Sequence, residues 1–329
     1  MKRLFWIILG GLGALVGGAV VYLWTPPTDP ELMMAKYGGT EARFADSAEG
    51  MRIHYRAAGP EDAPVVIFIH GTSASLHTWE EVMAGLSDDY RVIAYDQPGH
   101  GLTGPHPERD YTYAGMADGL DAIFAAEGVS DAVLVGNSMG GWVAWRDALE
   151  NPHRVRALVL VDAAGIPAAV KPESNLGFRL LQSPLGRIAM RRLTPRAAIR
   201  QSLVDTVGDP AVVTDEMVDR YWELLRFPGN RQAAGDQFTS PRQDLSDRLG
   251  EIEQPTLVVW GAKDRLIPVE NAAIFTERMP NAQAVIFDEL GHIPMEEDPA
   301  QFLAAVEPFL AEVTEDPLAE TPPLGDMQP

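Results

Sequence analysis

The chain has no cysteine among its 329 residues. Disulfides, thiolate nucleophiles and cysteine-ligated metals are therefore excluded together. Positive charge is also scarce, with 26 lysines and arginines against 47 aspartates and glutamates, a formal net charge of −21. Nucleic acid is gripped through basic patches, so this balance argues against it as a partner. No histidine-carboxylate cluster with zinc spacing and no internal repeat is apparent. Neither a metal nor an organic cofactor is implied.

What is present points to a folded protein. With 46% hydrophobic and 22% charged residues the chain can bury a sizeable core. Its start is different in kind: MKR precedes LFWIILGGLGALVGGAVVYLW, Leu4 to Trp24, which carries no charge. As a helix rising about 1.5 Å per residue, that run spans about 30 Å, the thickness of the hydrocarbon core. It exceeds a usual signal-peptide h-region, and Val20 to Thr25 lacks a small-x-small cleavage site, so an uncleaved anchor is expected. Lys2 and Arg3 would stay cytoplasmic and the remainder would be exported, making a single-pass membrane protein. Gly13 and Gly17 would allow two such helices to approach closely, but glycine is common in membrane helices and the oligomeric state stays open.

Beyond the run, prolines and glycines over residues 25–42 read as a tether. Short apolar runs then alternate with amphipathic stretches. The expected strands are MRIHYRAA, VVIFI, RVIAY, AVLVG, RALVLV, TLVVW and QAVIF. The expected helices are Leu76 to Leu86, Tyr113 to Glu127, Met139 to Glu150, Val269 to Arg278 and Pro299 to Glu312. Continuous apolar strands with helices between them predict an α/β fold, a mostly parallel sheet flanked by helices. The alternation breaks over residues 165–250, an inserted helical segment, so the sheet-forming core divides into residues 43–164 and 251–313. Residues 314–329 are acidic and proline-rich and read as a disordered tail, opposite the anchor at residues 1–24.

Within this frame GNSMGG places Ser138 between the strand AVLVG and the helix from Met139. A tight strand-to-helix turn needs small residues, supplied by Gly136 and Gly140. The hydroxyl is then presented at the carboxyl edge of the sheet beside unpaired helix N–H groups. A serine needs a base and a group orienting that base. Asp264 follows the strand TLVVW, and His292 lies in the loop after QAVIF, so both would project from the same edge.

Together, HGTSASLHTW, DQPGHGLT, GNSMGGW, WGAKDRLIP and LGHIPMEEDP resemble the α/β-hydrolases, in the branch with lipase-like esterases, cofactor-free haloperoxidases or perhydrolases, and carbon–carbon bond hydrolases. The resemblance runs from about Met51 to Glu312 and implies a Ser138-His292-Asp264 triad. It further implies an oxyanion hole from the backbone N–H groups of Met139 and Thr72, with Ser73 competing for the second place. Epoxide hydrolases and haloalkane dehalogenases share the fold but carry aspartate as nucleophile, so Ser138 argues against both. The rival acid is Asp162; Asp96, His70 and His100 read as structural, while His54, His77, His106 and His153 take no role.

The resemblance makes the insert a cap that selects the substrate. From Lys171 to Arg200 it holds Arg179, Arg187, Arg191, Arg192 and Arg196 among apolar residues, with Glu173 the only acid. That leaves two readings open: a cap resting on anionic headgroups, or a solvated face whose arginines pair with acids elsewhere. The expected activity is hydrolysis of small to medium acyl substrates. Perhydrolysis, carbon–carbon bond hydrolysis and a non-catalytic ligand receptor are the alternatives.

Overall fold

The computed structural model of the chain describes residues 23–167, 170 and 183–315. All but the last two residues of the apolar run, the segment 171–182 and nearly all of the tail lie outside the described residues. Among the described residues no helix is long and apolar enough to cross a membrane.

Eight strands form one sheet: β1 (Arg43–Asp46), β2 (Arg52–Ala58), β3 (Val65–Ile69), β4 (Arg91–Tyr95), β5 (Ala132–Asn137), β6 (Val155–Val161), β7 (Thr256–Gly261) and β8 (Ala282–Phe287). Their order is β1-β2-β4-β3-β5-β6-β7-β8. The β1–β2 and β2–β4 pairs are antiparallel and all later pairs are parallel. The central strands are predominantly apolar because both faces are covered, with polar residues such as Arg91, Asn137 and Thr256 at their ends. Ile67, Leu134, Leu158 and Val258 enter one core with the helices Tyr113–Glu127 and Met139–Glu150. Their neighbours Val66, Val133, Val159 and Leu257 enter the other, against Trp79 and Phe302.

Three differences from the sequence-based expectation have local causes. Strand β1 was not expected; it is a short edge strand that turns into β2 through Gly50 at φ 83°. QAVIF forms β8, but as the opposite edge strand it is open on one side, with Ile286 41% exposed. Residues 25–42 are not a free tether. Asp29 caps a short helix, Pro30–Met33, and Tyr37 and Lys36 both bind the Glu223 carboxylate at 2.7 Å. Met33 and Tyr37 are buried with Leu102 and Leu224, and these apolar contacts fix the segment where composition alone indicated flexibility.

Between β6 and β7 the described chain is helical, with Pro184–Met190, Arg196–Val204, Asp215–Leu225 and Asn230–Gln237. Its helix Asp215–Leu225 is tied to the core by Glu296, which accepts from Arg220 at 2.6 Å, from Tyr221 at 2.5 Å and from Thr78.

Candidate active site

Ser138 sits in the turn between β5 and the helix Met139–Glu150 at φ 54° and ψ −115°, a backbone conformation that costs a non-glycine residue about 1–3 kcal/mol. The surrounding hydrogen bonds hold it there: its N–H donates to Val161 at 2.9 Å and its carbonyl accepts from Ala164 at 2.9 Å. The two flanking glycines are required by space. A Cβ on Gly136 would lie 2.4 Å from the Gly140 carbonyl oxygen, and one on Gly140 would lie 2.1 Å from that of Ile69. Gly140→Ala is therefore expected to cost about 2–3 kcal/mol and to displace the turn, read as a lower unfolding midpoint with reduced activity. Wild-type stability in that variant would contradict the packing argument.

His292 and Asp264 are both buried, and the imidazole Nδ1 lies 2.6 Å from Asp264 Oδ2. The other oxygen, Oδ1, accepts from the N–H groups of Leu266 at 2.7 Å and Ile267 at 3.1 Å, which fixes the carboxylate. His292 is anchored from two sides. Its carbonyl accepts from Asn137 Nδ2 at 2.9 Å, beside Ser138, and its N–H donates to Thr206 at 2.9 Å. Glu297 braces the same loop by accepting from Gly291 at 2.8 Å and Gly208 at 2.7 Å, and burial raises its pKa despite these bonds. With Nδ1 engaged, Nε2 is the nitrogen left for proton transfer. No hydrogen bond joins Ser138 Oγ to His292 among the described residues; such contacts commonly tighten only when substrate binds.

Asp162, the rival acid, is completely buried beside this pair: oxygens of Asp162 and Asp264 and a ring nitrogen of His292 lie within 4.8 Å of one another. Its Oδ1 accepts from Gly261 at 3.0 Å, while no donor reaches Oδ2. Burial, then the charge of Asp264, pushes its pKa well above the usual carboxylate range. A protonated Asp162 donating to Asp264 satisfies both carboxyl groups without an ion. These three residues are also the cluster with metal-like spacing among the described residues, but the Nδ1 hydrogen bond already occupies a ligating nitrogen.

Across the cleft, Thr72 Oγ1 donates to the sulfur of Met139 at 3.4 Å, bringing together the two residues expected to supply the oxyanion donors. The Thr72 and Met139 N–H groups donate to no acceptor among the described residues. Ser73, next along, has φ 66°.

Three histidines stiffen this side. His70 Nδ1 donates to Gly71 at 2.7 Å and Nε2 accepts from Gln97 at 3.0 Å; His100 packs edge-on to it at 5.0 Å. Asp96 is wholly buried and accepts from Leu76 and Leu102 at 2.8 Å and from His54 at 2.7 Å. That gives His54 a structural partner that its sequence context did not reveal. Burial, although it opposes ionisation, is outweighed by the His54 hydrogen bond and nearby imidazoles, so Asp96 titrates below its normal range.

Burial is the main cause lowering the pKa of His70, of His77 to about 4 and of His100 to about 3. The unfolded chain therefore binds protons below about pH 6.5 that the folded chain refuses, and stability falls on acidification by about 1.4 kcal/mol per pH unit for each such group. Asp162 and Glu297, with raised pKa values, act in the opposite sense. A net loss of about 2 kcal/mol between pH 6.5 and 4.5 is expected in urea unfolding. Constant or rising stability over that window would contradict the buried, neutral assignment.

The helical insert meets this edge. Leu224, Leu225, Asn230 and Ala234 meet Ser73, Gly99 and His100 around a space of only about 10 Å³. A roomier cavity, about 460 Å³, lies elsewhere, against arginines of the insert.

Residues 64–299 match the family model for the alpha/beta hydrolase fold. The 2-hydroxy-6-oxo-6-phenylhexa-2,4-dienoate hydrolase of Burkholderia cepacia is 30% identical over 250 residues, covering 73% of this chain and 85% of that protein. Among solved structures, a bacterial membrane phospholipase A described as a virulence factor superposes with a TM-score of 0.74 at 26% identity, covering 96% of this chain and 100% of that one. An esterase from a Rhodococcus species has a TM-score of 0.71 at 27% identity, covering 83% of this chain and 100% of the esterase. The sheet, the helical insert and these relatives lead to one conclusion: the chain belongs to the α/β-hydrolase fold family and is a hydrolase.

Proposed function

We propose that the protein is a membrane-anchored serine hydrolase that cleaves acyl bonds, chiefly carboxylic esters of small to medium size. The observation that supports this most is the 2.6 Å contact of His292 Nδ1 with Asp264, on a loop whose His292 carbonyl is tied to the residue before Ser138. In this reading Ser138 Oγ attacks the carbonyl while His292 Nε2 takes its proton. The developing oxyanion receives the N–H groups of Thr72 and Met139. His292 then protonates the leaving group, and water, deprotonated by the same nitrogen, releases the acid from the acyl-enzyme. Asp264 holds the tautomer and stabilises the imidazolium. No step requires a cofactor.

The anchor reading places residues 4–24 in the bilayer, with the N-terminus cytoplasmic and the catalytic domain exported. The uncharged run supports it, as does similarity over 96% of the chain to a protein described as a membrane phospholipase. Protease added to intact spheroplasts should digest the hydrolase domain; protection until lysis would reverse the orientation. The Burkholderia relative supports a second reading, hydrolysis of a carbon–carbon bond by the same residues. A panel of p-nitrophenyl esters of rising chain length, run beside a vinylogous 1,5-diketone, separates the two. Turnover of the diketone alone would replace the ester reading.

A further inference from the structure

The 460 Å³ cavity is lined by Arg191, Arg192, Arg226 and Arg231, and by no carboxylate among the described residues. In a chain of net charge −21, four guanidinium groups around one open space are a local inversion of charge. Their visible partners are neutral. Arg226 donates to the Pro26 carbonyl at 3.0 Å, and Arg192 donates to the Arg191 carbonyl at 3.0 Å and lies over the Trp24 ring. Arg231, only 6% exposed, donates through Nη1 to Thr25 and Thr194, while its Nη2 is buried without a partner. Glu223, whose charge bears on Arg226, is already held by Lys36 and Tyr37. Burial, then the charges of Arg192 and Arg226, lowers the Arg231 pKa to about 10, so it remains a cation at neutral pH. An anion in the cavity would relieve this repulsion.

Position identifies the anion's source. Thr25 directly follows the uncharged run, and its N–H donates to the Arg192 carbonyl at 2.7 Å. Pro27 lines the cavity, so the opening lies within about 10 Å along the chain of the end of that run. Beside it, Leu185 is 81%, Ile188 63% and Trp24 51% exposed, an apolar rim of the kind that enters the headgroup boundary. By contrast Arg196 and Arg200 pair with Asp215 and are ordinary surface cations. Of the basic stretch, Arg191 and Arg192 line the cavity whereas Arg196 and Arg200 do not.

We propose that this cavity holds the headgroup phosphate of an anionic phospholipid from the leaflet in which the N-terminal run ends. The proposal rests on the anchor reading, and the test separates the two. The full chain is purified in a neutral maltoside detergent, and its intact mass reports whether residues 1–24 are retained. Thermal unfolding is then followed with phosphatidylglycerol, phosphatidylcholine or inorganic phosphate. Phosphatidylglycerol should raise the midpoint by about 3–5 °C, and neither alternative should match it. Arg191→Ser with Arg192→Ser, and separately Arg191→Glu, should remove the shift while leaving p-nitrophenyl butyrate hydrolysis within twofold. An equal shift with phosphatidylcholine would indicate apolar adhesion, an equal shift with phosphate a free-anion site, and an undiminished shift in folded variants a site elsewhere; each overturns the proposal. A mass lacking residues 1–24 would overturn the anchor alone if the selective shift persisted.

Discussion

Replacing Ser138 by alanine is expected to lower kcat for ester hydrolysis by roughly 10⁴- to 10⁶-fold, because nucleophile, base and acid act as a unit and removing one forfeits most of their joint effect. Stability should not follow activity. The positive φ of Ser138 is a strain that alanine also bears, so Ser138→Ala should unfold near the wild-type midpoint. Glycine tolerates this conformation, and Ser138→Gly should be equally inactive yet more stable by about 1 kcal/mol. Parallel measurements of kcat and urea midpoint test both halves. A Ser138→Ala enzyme within tenfold of wild type would remove serine from the chemistry. A Ser138→Gly protein less stable than wild type would show that the turn is not strained.

The second large effect discriminates between two neighbouring carboxyl groups. Asp264→Asn is expected to lower kcat about 10⁴-fold, because the amide can present N–H to the imidazole and favour the wrong tautomer. Asp162→Asn should be far milder, within about tenfold, although Asp162 is the more deeply buried of the two. An asparagine can reproduce both contacts of a neutral carboxylic acid, donating to Asp264 and accepting from Gly261. If Asp162→Asn fell as far as Asp264→Asn, Asp162 would have to be the charged partner of the imidazole. Rate profiles against pH add an independent reading, since removing a proton shared with Asp264 should move the acid limb even where kcat at neutral pH changes little.

The site was legible in sequence to the extent that its requirements are local. GNSMGG carries the steric demands of the turn within a few positions, and β7 and β8 each deliver one polar group to the same sheet edge. Periodicity located the central strands because their two-sided burial demands apolar residues throughout. It failed at one edge, where β1 is only four residues long, while QAVIF was located as β8 even though that edge strand is half exposed. It also missed contacts joining distant segments. Thr25 meets Arg192 across 167 positions and Glu297 reaches Gly208 across 89, so no local pattern could announce a docked N-terminal segment or a braced histidine loop. The arginine cavity belongs to the same class. Lys171 to Arg200 stood out in composition, yet Arg226, just after the helix Asp215–Leu225, and Arg231 complete the cavity from farther along the chain. Asp162 was recognised as a rival acid, but its burial against Asp264 emerges only when β6 and β7 pair.

The central claim is that Ser138 is a nucleophile activated by His292, and its most direct test is covalent labelling of the full chain by a fluorophosphonate probe. Wild type should label rapidly, and Ser138→Ala and His292→Ala, each verified as folded by circular dichroism, should not. Labelling that survives in Ser138→Ala, or a folded wild type that does not label, would contradict the account.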